Sequence, residues 1–327
     1  MPRLLVVAPN WIGDALMCQP LLARLREKRP QARIDVLAPA FVAPVFRRMP
    51  EVAGVIETPF AHGALHLRER WRLARTLKAL GYDQALVLPN SWKSALLPFL
   101  ADIPLRSGFV GESRYGLLNL LYRRKPGREP MALHFARLSE APGATVAEPL
   151  PEPKLTVEPA AIEATRQKFG LPADYVALCP GAEYGPAKRW PYYAQLAERL
   201  DRPVAVLGGP KDRPACEGIR GRNLAGETTL DEAIELLAGA ACVVSNDSGL
   251  MHVTAALGRP QVALFGSSSP KHTPPLSAHS RVLWLGIECS PCYARECPLG
   301  HFKCMRELTV EQVLGTVPIF PSGATGK

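Results

Sequence analysis

The chain has 327 residues, 47% of them hydrophobic and 21% charged, which fits a soluble globular protein of two domains of roughly 150 residues each. No stretch reaches the ~18 uninterrupted apolar residues that span a bilayer; the opening "MPRLLVVAPNWIGD" is broken by Pro9, Asn10 and Asp14 and is expected to be a first strand, not a signal peptide, in a cytoplasmic protein. The formal net charge of +9 is segregated, with 22 Lys/Arg against 13 Asp/Glu in residues 1–157 and 17 of each in residues 158–327, so the first half is expected to meet something anionic.

In chain order, "RLLVVAP" predicts a strand, "DALMCQPLLARLREKRP" a helix ended by Pro30, and "RIDVLAP" another strand. "ERWRLARTLKALGYD" predicts a basic amphipathic helix closed by Gly81, and "QALVLPNS" the next strand. Short apolar strands alternating with periodic helices predict a parallel, doubly wound sheet. Four prolines between Pro149 and Pro159 then impose an extended segment, which puts the domain boundary between residues 157 and 158.

Alternation restarts with the strand "YVALCPG" and the helix "WPYYAQLAERL", whose Pro191 suits a first helical position. "VAVLGGP" predicts a strand, and "TLDEAIELLAGA" a helix with a Thr229–Glu232 capping box. The strand "ACVVSND" runs into a helix ended by Gly258 and Pro260, and "QVALFGSSSP" and "RVLWLG" complete a second parallel sheet. The predicted fold class is α/β, with two Rossmann-like domains in tandem.

Three loops follow strands and open helices, which puts them at the carboxyl edges of the sheets, where open α/β domains bind ligands. In "SNDSGLMHVTAAL", Asp247, Ser248 and Gly249 precede a helix whose first N–H groups and dipole favour a phosphate, and His252 can lean back towards them. The alternative is a plain N-cap with a core histidine. In "PGAEYGPAKRWP", Gly181 lies in a glycine- and proline-rich loop and Lys188 is placed as a point charge for a phosphate. In "APNWIGDALM", Gly13 permits a tight turn and Asp14 opens the helix, either as a dipole-stabilising charge or as a general base kept ionised by that dipole. No G-x-G and no G-x-x-x-x-G-K-[ST] occurs, which counts against a P-loop NTPase and, less strongly, against a dehydrogenase.

Four of the eight cysteines, Cys289, Cys292, Cys297 and Cys304, fall in "CSPCYARECPLGHFKC" with His301 among them. In a cytosolic chain this spacing points to a structural zinc or other metal ahead of disulfides, with a reduced, packed loop as the alternative. A catalytic zinc is not expected, because the cluster lies outside the phosphate-binding loops.

The segments "NWIGDALM", "LPNSWKSAL", "GESRYGLLN", "PGAEYGPAKRWP", "NLAGETTLDEA", "SNDSGLMHVTAALGRP" and "FGSSSPKHTPPLS" together resemble the lipopolysaccharide heptosyltransferase II family, within glycosyltransferase family 9. The resemblance implies a GT-B fold of two facing Rossmann-like domains, 1–157 binding the acceptor and 158–327 the donor. It implies inverting transfer of L-glycero-D-manno-heptose from ADP-heptose to the first heptose on Kdo2-lipid A, with no cofactor required for the chemistry. Matching motif to motif, the catalytic aspartate falls on Asp14 and the donor-phosphate lysine on Lys188. The donor signature falls on Asp247, Ser248, Gly249, Leu250 and His252, and Thr228 falls near the adenine. Asn10, Asn90, Ser91, Lys93 and Arg114 are acceptor candidates because they lie in first-domain loops.

The basic half then finds its partner in lipid A phosphates and the inner leaflet of the cytoplasmic membrane, touched peripherally, with no nucleic acid involved. A sibling heptosyltransferase I or III with another acceptor, and a nucleotide-binding oxidoreductase lacking the fingerprint, are the alternatives.

Overall fold

Leu4, Leu5 and Val6 are almost completely buried, the condition that makes a parallel strand read as an unbroken apolar run. They lie in β1 (Arg3–Val7) of a computed structural model that describes residues 1–58, 66–124 and 127–317. The other strands of this sheet are β2 (Arg33–Pro39), β3 (Gly54–Thr58), β4 (Gln84–Val87), β5 (Leu105–Phe109) and β6 (Leu120–Tyr122). They pair in parallel in the order β3-β2-β1-β4-β5-β6. The helices of this unit are α1 (Ile12–Met17), α2 (Gln19–Lys28), α3 (Ala43–Arg47), α4 (Leu67–Leu80), α5 (Trp92–Leu100) and α6 (Met131–Ala136).

The second sheet is built from β7 (Val176–Cys179), β8 (Val204–Val206), β9 (Arg222–Asn223), β10 (Cys242–Asn246), β11 (Gln261–Phe265) and β12 (Ser280–Trp284). Its order, β12-β11-β10-β7-β8-β9, is the first sheet's order read from the other end. Around it run α7 (Pro159–Lys168), α8 (Tyr193–Arg199), α9 (Arg213–Cys216), α10 (Leu230–Gly239), α11 (Gly249–Ala256), α12 (Lys303–Arg306) and α13 (Val310–Thr316). In each sheet the strand order reverses once, between β1 and β4 and between β7 and β10, and ligands of such sheets lie beyond the strand ends at that reversal.

The chain divides into two compact units, Met1–Thr156 with Lys271–Thr273, and Val157–Pro270 with Pro274–Lys327. A single cut after residue 157 therefore misses residues 271–273, which group with the first unit through the bond from Met131 N to His272 O (2.9 Å). Ahead of the division, the proline-rich segment is pinned by one buried side chain. Gln19 accepts from Lys154 N (2.9 Å) and donates to Lys154 O (2.8 Å), replacing the ladder that prolines cannot make.

Local chemistry accounts for most elements. The Thr229–Glu232 capping box opens α10 as predicted, and Gly81, at φ 66°, closes the basic helix α4. Two expectations need correction. The helix predicted from Asp14 to Pro30 is two helices, because Pro20, in the first turn of α2, has no N–H to continue the ladder. Pro191 lies in a turn, and α8 begins at Tyr193. Among the described residues, no helix is long and apolar enough to cross a membrane.

Candidate active site

The fully buried strand β10 ends in polar residues, and these assemble a site at the carboxyl edge of the second sheet. Asp247 follows β10 and is 5% exposed. Its Oδ2 accepts from Lys188 Nζ and from Ser268 Oγ, each at 2.5 Å. The Lys188 ammonium also sits 4.9 Å from the centre of the Tyr184 ring. A cation held this way is fixed in position before any ligand arrives. The carboxylate that fixes it would repel a phosphate, so the geometry gives Asp247 the part of holding Lys188.

Asn246, which the sequence reading passed over, ties the Lys188 loop to the strand. Its Oδ1 accepts from Trp190 N (3.1 Å) and Tyr193 OH (3.2 Å), and its Nδ2 donates to Pro180 O (2.7 Å). A polar pair, Ser245–Asn246, at the end of an apolar strand was the available signal: polar side chains this buried must find partners.

Ser248 begins α11 in extended conformation but does not cap it; its Oγ lies 3.3 Å from Ser245 Oγ instead. The first amides of α11 are thus not taken by a side-chain cap, and Gly249 and Leu250 beside them are partly exposed. His252 is buried one turn in. Burial pushes its pKa down to about 4, with Asp247 opposing and Lys188 assisting the shift, so the imidazole is neutral at physiological pH. Gly181 lies in the same loop as Lys188, but what comes close to it is Asp212: a Cβ there would fall 2.3 Å from that carboxyl carbon. Thr228 is partly exposed in the turn between β9 and α10, at the far end of the same sheet edge.

The first unit repeats the arrangement with other side chains. Asp14, partly exposed, lies in the first turn of α1 just beyond β1, and Asn10 precedes it. Beyond β4 come Asn90, Ser91 at the N-cap of α5, and Lys93 within it. Glu112, also not singled out from the sequence, accepts from Trp92 N (3.2 Å) at the same helix start.

A sequence model of glycosyltransferase family 9 (heptosyltransferase) matches residues 70–303. Lipopolysaccharide heptosyltransferase 2 of Escherichia coli (strain K12) is 42% identical, over 95% of this chain and 96% of its own. Lipooligosaccharide heptosyltransferase 2 of Haemophilus influenzae is 44% identical, over 86% of this chain and 88% of its own. The chain belongs to glycosyltransferase family 9, the heptosyltransferases. The solved structure of E. coli ADP-heptose lps heptosyltransferase II superposes with a TM-score of 0.86 at 40% identity, covering 96% of this chain and 97% of that one. The fold is accordingly α/β of the GT-B class.

In this heptosyltransferase, Arg114 is turned into the protein. It is 1% exposed, and its guanidinium donates to Pro89 O and Phe109 O, with a longer contact to Asn90 Oδ1 (3.4 Å). It braces the loops beyond β4 and β5, and burial lowers its pKa.

The cysteine segment also departs from expectation. Cys289, Cys292, Cys297, Cys304 and His301 line one small cavity together with Ala187, the neighbour of Lys188, so the cluster borders the Lys188 loop instead of lying apart from it. Backbone amides of Phe302, Leu299, His301 and Gly300 hold the Cys297 thiol below its ordinary pKa.

Two measurements check this site. Lys188→Met leaves the Asp247 carboxylate buried without its cation and should destabilise the protein by roughly 3 kcal/mol. Adding Asp247→Asn should recover at least half of that loss in urea denaturation, and simple additivity of the two substitutions would rule out the coupling. His252 keeps its proton off until about pH 4 in the folded state, whereas an unfolded histidine takes one near 6.5. The unfolded chain therefore binds more protons between those values, and stability falls as pH drops through that window. An NMR titration of the ring should show a midpoint near the lower value, and His252→Gln should flatten the pH dependence of the unfolding midpoint.

Proposed function

We propose that this heptosyltransferase moves L-glycero-D-manno-heptose from ADP-heptose to the first heptose of the inner core on Kdo2-lipid A, with inversion at the anomeric carbon. The observation that carries the donor half is the fixed Lys188 ammonium, held by Asp247 beside the α11 start at the strand-order reversal. A diphosphate is the anion such a seat suits. Its charge grows as the sugar leaves, so Lys188 and the α11 amides stabilise the transition state more than the ground state. Neutral His252 offers a hydrogen bond there without adding charge.

Acceptor activation is assigned to Asp14. The acceptor hydroxyl oxygen attacks the anomeric carbon while the bond from that carbon to the ADP phosphate oxygen breaks, and Asp14 takes the hydroxyl proton. One displacement with a base and no enzyme nucleophile inverts the centre. The reading asks for no cofactor, because the protein supplies the positive charge itself. Asn10, Asn90, Ser91 and Lys93 are assigned to reading the acceptor sugar, with Arg114 bracing the loop that carries Asn90. Gly181 and Thr228 complete the donor edge.

The same reading extends to the membrane. On α4, Leu67 and Trp71 are 58% and 55% exposed, Arg68, Arg72 and Arg75 are exposed beside them, and the Arg75 guanidinium lies 4.9 Å from the Trp71 ring centre. Arginines around an aromatic anchor suit the headgroup level of an anionic leaflet, touched without insertion.

With purified protein and ADP-heptose, acceptors carrying zero, one or two heptoses should be distinguished in favour of one; turnover confined to the zero-heptose acceptor would give the protein the sibling role. On the preferred acceptor, Asp14→Asn should lower kcat by at least about a hundredfold while ADP binding changes little. Sedimentation with phosphatidylglycerol vesicles should weaken about a hundredfold when Arg68, Arg72 and Arg75 are replaced together by Gln, at roughly 1 kcal/mol per arginine. Equal binding to neutral vesicles would remove the membrane assignment.

A further inference from the structure

Residues 285–302 contain no helix or strand, yet they brace the loop that carries Lys188. Ala187 N donates to Arg295 O (3.0 Å), and Tyr184 OH donates to Tyr293 O (2.6 Å). The Arg295 guanidinium lies 5.3 Å from the centre of the Tyr184 ring, the ring that Lys188 also approaches. Gly185, at φ 152°, leaves room for this approach, since a Cβ there would fall 2.4 Å from Arg295 O. Tyr293 N donates to Ser267 O (2.7 Å), which ties the segment to the loop after β11 as well. A brace without a hydrogen-bond ladder needs some other constraint.

The constraint is legible in the sulfur atoms. Cys289, Cys292, Cys297 and Cys304 are free thiols, and with His301 and Ser267 they line one cavity of about 20 Å³, room for a single ion or water. Ser267 is 1% exposed and its Oγ has no hydrogen-bond partner, so a buried polar atom lines this cavity unsatisfied. Phe302 N donates to Cys297 Sγ (3.4 Å), and Cys289 Sγ lies 3.9 Å from His301 Nε2. In this conformation, no group of three or more His, Cys, Asp or Glu among the described residues is arranged to hold a metal ion.

We propose that Cys289, Cys292, Cys297 and Cys304 close on one zinc ion as four thiolates, and that this ion holds the brace against the Lys188 loop. Each thiol gives its proton to solvent as the sulfur moves to about 2.3 Å from the metal, and no oxidant is involved. Four sulfur donors around one point select a soft, tetrahedral ion, and zinc is the redox-inert one. The ion takes no part in glycosyl transfer; the cysteines are positioning residues for Lys188.

Full-length protein, purified under reducing conditions without a metal-affinity tag, should carry about one zinc per chain by elemental analysis. Cys292→Ser, at an exposed thiol, should lose most of it. Releasing the zinc from the unmodified protein with a thiol-directed mercurial, then restoring the thiols in chelator, should lower the melting midpoint by about 5 °C and weaken ADP binding by about tenfold. Iron in place of zinc, or metal well below stoichiometry with all four thiols equally reactive in the presence and absence of chelator, overturns the zinc site. Zinc at full stoichiometry whose removal leaves ADP affinity unchanged overturns its bracing role. Metal content and melting midpoint do not involve a nucleotide, so their outcome stands apart from that of the donor-site reading.

Discussion

A partly buried ammonium, Lys188, and a buried carboxylate, Asp247, are paired beyond the end of β10, and several neighbours in the second unit keep them together. Taking two charges out of water is costly, and their attraction offsets that cost only if the geometry is firm. Firmness comes from several directions: Ser268 shares the Asp247 oxygen, Asn246 clasps the Lys188 loop, and Tyr184 lies beneath the ammonium. Gly185 lets that loop pass close to the cysteine segment, where any side chain would collide. A lysine on a mobile surface loop would spread its charge over many positions. Here the charge is localised, which is what transition-state stabilisation requires of a dipole or cation.

The sheets were legible in the sequence wherever burial is complete. β1, β7, β10 and β11 read as apolar runs because both of their faces are covered. β3 is only partly buried and β9 is two residues long, so neither carries a pattern that periodicity can detect. The split between α1 and α2 was also legible, since Pro20 stands in the middle of the predicted helix; there the apolar period outweighed the proline. The Lys271–Thr273 excursion was not, because which unit a three-residue segment packs with depends on tertiary contacts alone.

For the candidate site, residue type and position singled out Asp14, Lys188 and the Asp247–His252 stretch. Partnership was beyond the sequence. It cannot say that Asp247 spends its carboxylate on Lys188, that Arg114 is turned into the protein and bonded to backbone carbonyls, or that Gly181 is small because Asp212 lies against it. Each of these depends on residues more than twenty positions away, or on a loop whose course no local rule determines. The cysteine segment teaches the same lesson: its place in the sequence set it apart from the three strand-end loops, while its contacts run to the loop beside Lys188.

Both sheets share one strand order, each built on its own core. A two-substrate catalyst made this way has two independent scaffolds. Loops at the rim of one can drift while those of the other stay as they are, and neither change disturbs the packing beneath the other. Change confined to one rim, with the other held constant, is the variation such a duplicated frame tolerates most easily.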